Sequence, residues 1–187
     1  DDQFKSKSKV VESNAKALDQ GIKWFKENVQ KKDPFKLEAM KSTQGKIMID
    51  GNTAAALGCV YGGCTVTAWY PITPSSSVCD AVIDYFNDYR VTADGKHQFA
   101  VVQAEDELAA AGMVLGAGWA GARSMTATSG PGISLMAEFI GLGYFTELPG
   151  VFFDIQRVGP STGLPTRTMQ GDIDFVARLS HGDTRHP

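Results

Sequence analysis

The chain has 187 residues, 43% of them apolar and 21% charged, with a net charge of −3, a globular composition that excludes disordered and fibrous classes. No apolar run reaches the roughly eighteen residues of a transmembrane helix, and Asp1-Asp2-Gln3-Phe4-Lys5 lacks the basic-then-apolar layout of a secretion signal. Three widely spaced cysteines make no disulfide framework, so a cytoplasmic protein with buried thiols is expected.

The first segment reads as an amphipathic helix. Val10, Val11, Ala15, Leu18, Ile22, Trp24, Phe25 and Val29 recur at three- and four-residue spacing. A stop follows at Lys31-Lys32-Asp33-Pro34, and 33–45 reads as a polar linker. Residues 1–46 hold eleven lysines against seven acids, whereas residues 47–187 hold seven basic residues against fourteen acids. The lysines are interspersed with acids and no aromatic stacking series accompanies them, so a boundary between two units explains the asymmetry better than a nucleic-acid-binding arm.

From Lys46 a strand-then-helix beat sets in. Strands are predicted at 46–50, 65–70, 99–104, 124–129 and 151–156, and helices at 53–61, 75–89, 106–120 and 132–145. Five such strands with intervening helices predict a three-layer α/β/α domain around a mostly parallel sheet. In that architecture ligands sit beyond the carboxyl ends of the strands. The predicted exits are Gly51-Asn52, 71–76, Glu105-Asp106-Glu107, Ser129-Gly130-Pro131-Gly132 and 157–163. Hydroxyls, glycines, carboxylates and one arginine therefore collect on a single edge.

Each group has two readings. Glu105-Asp106-Glu107 can stabilise the dipole of the helix that it opens, or one carboxylate can face the Ala/Gly run that follows and meet a ligand nitrogen. Thr126–Gly132 has the look of a phosphate loop without the spacing of either Gly-rich nucleotide fingerprint; a tight strand-to-helix turn accounts for it equally. Arg157, with no acid before Asp172, can hold a carboxylate by paired donors or pair with a distant acid. Thr73, between two prolines, sits on a stiff loop. Cys59, Cys64 and Cys79 fit no metal spacing, so no metal ligand is expected on this chain. His181 and His186 near the end belong to no hydrolase triad.

Taken together, the motifs resemble one family. Tyr70-Pro71-Ile72-Thr73-Pro74-Ser75-Ser76, Gln103-Ala104-Glu105-Asp106-Glu107, Thr126-Ala127-Thr128-Ser129-Gly130-Pro131-Gly132 and Gly159-Pro160-Ser161-Thr162-Gly163-Leu164-Pro165-Thr166 occur in that order. The string resembles the α subunit of 2-oxoacid:ferredoxin oxidoreductases, of the 2-oxoglutarate type, over residues 47–187. It implies the thiamine diphosphate-binding fold, with the cofactor's pyrimidine half on this chain. Glu107 then matches the glutamate that bonds the pyrimidine N1′, with Glu105 in reserve. Thr128 and Ser129 would lie near that ring, and Thr73, Arg157 and Thr166 match positions that hold the 2-oxoacid.

The implied reaction is oxidative decarboxylation of a 2-oxoacid, 2-oxoglutarate favoured, to an acyl-CoA and carbon dioxide with reduction of ferredoxin. A pyruvate or branched-chain 2-oxoacid enzyme of the same family is the nearer alternative, and a non-catalytic assembly fragment or a stand-alone nucleotide-binding enzyme the further ones. No Gly-Asp-Gly sequence with paired asparagines and no cysteine cluster occurs. The resemblance therefore implies Mg²⁺, the diphosphate site and a [4Fe-4S] cluster on a partner β subunit, in a hetero-oligomer inactive without it. It also implies that residues 1–46 end a fused γ domain, and that the pyrimidine-binding domain is cut short after Pro187.

Overall fold

A computed structural model describes residues 8–38, 40–162, 166–167 and 169–181. Gly163, Leu164, Pro165 and His186, named above, lie outside the described residues. The chain divides into two compact units, Asp1–Ile47 and Met48–Pro187.

In the first unit, α1 spans Ser8–Asn28 and buries none of its side chains. Ion pairs such as Lys16–Glu12, one turn apart at 2.9 Å, run along its surface, and Asn28 closes it by bonding the Trp24 carbonyl.

The second unit is a parallel sheet between two helical layers. Its elements are α2 (Gly51–Tyr61), β1 (Val66–Trp69), α3 (Ser76–Tyr89), β2 (Ala100–Gln103), α4 (Glu107–Trp119), β3 (Ser124–Thr128), α5 (Gly130–Thr146), β4 (Val151–Asp154) and α6 (Ile173–Ala177). The strand order is β2-β1-β3-β4, with every pairing between these strands parallel.

Alternation along the strands sorts residues between the layers. Met125 and Ala127 of β3 and Phe153 of β4 pack with Ala56 and Val60 of α2 and Val78, Val82 and Phe86 of α3. On the other face Phe152 packs with Ala110 and Ala111 of α4 and Ile133 and Met136 of α5. Ser124 donates to the Val114 carbonyl of α4 at 2.7 Å, so Ser124, Thr126 and Thr128 point into that second layer.

The predicted strand at 46–50 is not formed, and among the described residues the sheet has four strands instead of five. Ile47 and Met48 stand 80% and 103% exposed, because an extended apolar segment becomes a strand only when a neighbouring strand takes its backbone bonds. Asp50 instead caps α2: its carboxylate accepts from the Thr53 amide at 2.9 Å and the Thr53 hydroxyl at 2.6 Å. That cap starts α2 two residues before the predicted Thr53. The short α6 went unpredicted.

The connections fix where a ligand can sit. The chain leaves β1 into α3 on one face and β3 into α5 on the other, so a crevice opens between the carboxyl ends of these adjacent strands.

Candidate functional site

Two turns line that crevice, 70–75 after β1 and 129–132 after β3. They are tied by the Thr73 carbonyl, which accepts from Ser129 Oγ at 3.3 Å and from Arg157 Nη1 at 3.1 Å. Ser75 Oγ also reaches the Ala127 carbonyl at 3.4 Å. The Thr73–Pro74 peptide is cis, and Thr73 itself is exposed. Asn52, at the start of α2, bonds Ser77 Oγ at 2.7 Å, which brings α2 to the same edge without a strand before it.

The three acids before α4 take different places. Asp106 is the helix cap, accepting from the Ala109 amide at 2.7 Å. Glu105 is exposed. Glu107 is only 8% exposed, its carboxylate turned inward because the capping task falls to its neighbour.

Gly132 stands between Glu107 and Thr128. A Cβ on it would lie 1.9 Å from Thr128 Oγ1, 2.8 Å from Glu107 Cγ and 3.2 Å from Glu107 Oε1. Only a glycine permits this approach. Thr128 is fully buried, and its hydroxyl has no hydrogen-bond partner. A carboxylate and an unpaired hydroxyl therefore both press on Gly132, an acceptor beside a donor–acceptor.

Arg157, after β4, is 5% exposed. Its guanidinium meets the neutral Thr73 carbonyl and no carboxylate among the described ion pairs. A buried cation without a counter-charge is costly to maintain, and an anionic ligand would offset that cost. Of the residues singled out from sequence, Glu107 and Thr128 come together at Gly132. Thr73, Ser129 and Arg157 come together at the Thr73 carbonyl. Thr166 is exposed, and no described hydrogen bond ties it to either group.

Three polar residues near the site gave no sequence signal as site residues. Gln156 Oε1 accepts from the Gly171 and Asp172 amides at 3.0 and 3.5 Å. Asp172 is buried, with Oδ2 unpartnered, and half-buried Asp154 has an unpartnered Oδ1. A lone acid in a loop or at a strand end looks like any solvated acid. Only the return of 169–172 onto 154–156 buries these two.

Comparison with known proteins supplies the family. Residues 57–184 match the thiamine diphosphate-binding domain of pyruvate flavodoxin/ferredoxin oxidoreductases. The chain belongs to this family. Within it, the α subunit of 2-oxoacid:ferredoxin oxidoreductase 1 from Sulfurisphaera tokodaii is 44% identical over 153 residues, 80% of this chain and 24% of that one. The 2-oxoglutarate synthase subunit KorA of Methanocaldococcus jannaschii is 46% identical over 135 residues, 72% of this chain and 35% of its own length.

Among solved structures, the 2-oxoglutarate:ferredoxin oxidoreductase from Magnetococcus marinus, with 2-oxoglutarate, coenzyme A and succinyl-CoA bound, superposes with a TM-score of 0.77 at 39% identity. The match covers 98% of this chain and 31% of that one. The chain thus spans between about a quarter and a third of the length of these relatives. Both the membership and the α/β/α layering agree with the family that the motifs resemble. Among the described residues no helix is long and apolar enough to cross a membrane, and no group of three or more His, Cys, Asp or Glu side chains could hold a metal ion.

Proposed function

We propose that this chain is the pyrimidine-binding half-site of a thiamine diphosphate-dependent 2-oxoacid:ferredoxin oxidoreductase. The observation that carries the reading is the buried pair of Glu107 and an unpartnered Thr128 hydroxyl across Gly132, on the strand-end edge that also holds buried Arg157.

These residues fit the cofactor's aminopyrimidine. Glu107 is placed to hold a proton at the pyrimidine N1′ nitrogen, and the Thr128 hydroxyl can donate or accept beside it. Ser129, next to Thr128, is held to the Thr73 carbonyl. When bound, thiamine diphosphate supplies the nucleophilic carbon and the electron sink for decarboxylation. Burial of Glu107 among the small residues of α4 keeps bulk water from competing for that nitrogen.

Arg157 would take the carboxylate of the 2-oxoacid, with Thr73 and Thr166 supplying hydroxyls to its oxygens. The favoured substrate is 2-oxoglutarate, oxidised to its acyl-CoA with carbon dioxide released and ferredoxin reduced. This choice is supported by the relatives named 2-oxoglutarate synthase and by the 2-oxoglutarate in the superposed structure. We also read residues 1–46 as the end of a fused γ domain, and assign Mg²⁺, the diphosphate site and an iron–sulfur cluster to a β subunit.

Glu107→Gln, made in the full-length chain assembled with its partner subunits, is the test. A carboxyl that positions a proton contributes roughly 10²- to 10⁴-fold, so 2-oxoacid-dependent ferredoxin reduction should fall at least 10²-fold. Turnover close to the unmodified enzyme in a folded Glu107→Gln variant would remove Glu107 from the reaction.

A further inference from the structure

The end of the sheet away from the crevice holds a second reactive group. There α2 closes in a left-handed turn, with Gly63 at φ +87°. The Gly63 amide bonds the Val60 carbonyl at 3.1 Å, and the Cys64 amide reaches back to the Cys59 carbonyl at 3.0 Å. In a helix end bonded this way, the residue after the left-handed glycine meets a residue of the last helical turn, usually in a hydrophobic contact. Here both positions are cysteines.

Three observations bring the two thiols together. Standard bond lengths and the 3.0 Å bond hold the Cα atoms less than about 7 Å apart, within the reach of a disulfide. Both cysteines line one cavity of about 410 Å³. Their charges are also coupled: burial first, and then the charge of Cys64, pushes Cys59 up to about 11. Cys79 is fully buried and does not line this cavity.

The cavity lies between α2 and the segments that enter β3 and β4. Ala55, Gly58, Met125, Val151 and Phe153 form its walls, and among the described residues Arg123 is the one charged residue that lines it. Such walls admit a small uncharged molecule more readily than an ion. From these facts we propose that Cys59 and Cys64 form a dithiol site that a small uncharged disulfide oxidises to an internal disulfide, locking the last turn of α2 to the chain that enters β1. The site stands apart from the half-site and does not rest on that reading.

Cys59, the half-buried partner, attacks first. Its thiolate displaces one thiolate from the reagent and forms a mixed disulfide. Cys64, 6% exposed, gives up a weak bond to the Val66 carbonyl at 3.4 Å and attacks the Cys59 sulfur, releasing the second thiolate. The two cysteine protons end on the two released thiols, and the reagent takes both electrons. Arg90, which bonds the Val60 carbonyl at 2.8 Å, and Arg123, which bonds the Gly62 carbonyl, are cations beside the turn. At neutral pH the thiols stay mostly protonated, so the exchange is slow and takes no part in 2-oxoacid turnover.

The experiment treats the assembled oxidoreductase, carrying the full-length chain, with dithiodipyridine at about pH 8, where more thiolate is present. Remaining free thiols are then alkylated and the chain is mapped by mass spectrometry. Chymotryptic cleavage after Tyr61 and Trp69 puts Cys59, Cys64 and Cys79 on separate peptides. The Cys59 and Cys64 peptides should be found joined, with Cys79 alkylated. In Cys64→Ala the mixed disulfide should persist on Cys59, because no second thiol resolves it. In Cys59→Ala, Cys64 should react roughly 10-fold more slowly, since it is the less accessible thiol.

Separate mixed disulfides on Cys59 and Cys64 in the unmodified chain, or a Cys59–Cys79 link, would overturn the pairing. So would a pair that stays unreacted when the urea-unfolded chain reacts. Equal labelling of Cys64 with and without Cys59 would overturn the order of attack. The map of the unmodified enzyme decides the pairing even where an alanine variant fails to fold.

Discussion

Arg157 illustrates what burial does to one side chain. A guanidinium cannot shed its proton, so at 5% exposure with a single backbone acceptor it stays charged and under-solvated. A carboxylate ligand supplies two parallel acceptors, and hydrogen bonds to a charged group contribute roughly 1.5–3 kcal/mol. Arg157→Ala should therefore raise the KM for the 2-oxoacid by roughly 10- to 100-fold, with a smaller effect on kcat. Arg157→Lys should recover only part of it, since an ammonium lacks the planar fork. Steady-state kinetics across 2-oxoacid concentrations provide the check, and an unchanged KM for Arg157→Ala would exclude the contact. By contrast the thiols stay out of the chemistry: burial pushes Cys59 to about 11 and Cys79 to about 12, leaving them protonated and poorly nucleophilic at neutral pH.

At the scale of the element, the start of α4 shows how adjacent acids separate into different tasks. Asp106, in extended conformation, accepts from the Ala109 amide. The next residue, Glu107, falls in the first turn, where the helix rotates it into the α4/α5 layer. Replacing Asp106 with Ala should cost about 1 kcal/mol, as for other helix caps, and lower the thermal midpoint. Activity should fall more than stability alone would require, because the fraying turn carries Glu107. A variant that loses stability with turnover untouched would show that the cap and the site are independent. The predicted strand at 46–50 fails at this same scale, since its alternation carries no information on whether a partner strand exists.

For the whole molecule, the two helical layers do unequal work. The α2/α3 side holds the larger aromatic core, with Phe86 fully buried and stacked on Phe99 at 4.9 Å between centroids. The α4/α5 side holds small residues, hydroxyls and the site carboxylates. Phe86→Ala should therefore cost about 3–5 kcal/mol in denaturant titrations. The crevice lies at the opposite end of the sheet from the α3 C-terminus, so the residual folded fraction should keep its affinity for thiamine diphosphate. A loss of affinity in protein that is still folded would mean that the aromatic core also sets the site geometry.

Period and composition alone determined the α/β/α class, because side chains that alternate or recur every three to four residues must be buried on one face whatever the partner. The order of strand exits likewise placed Thr73, Glu107, Thr128, Ser129 and Arg157 on one edge, since a parallel sheet brings all its carboxyl ends together. Only the tertiary structure decided which acid turns inward at Glu105-Asp106-Glu107, a matter of one residue of helical rotation and of which neighbour takes the cap. It alone brought the segment before α6 back onto the end of β4, with Asp172 against Gly130. Those contacts depend on how a return segment eighteen residues further along the chain folds back, and no local periodicity encodes the closure of such a loop.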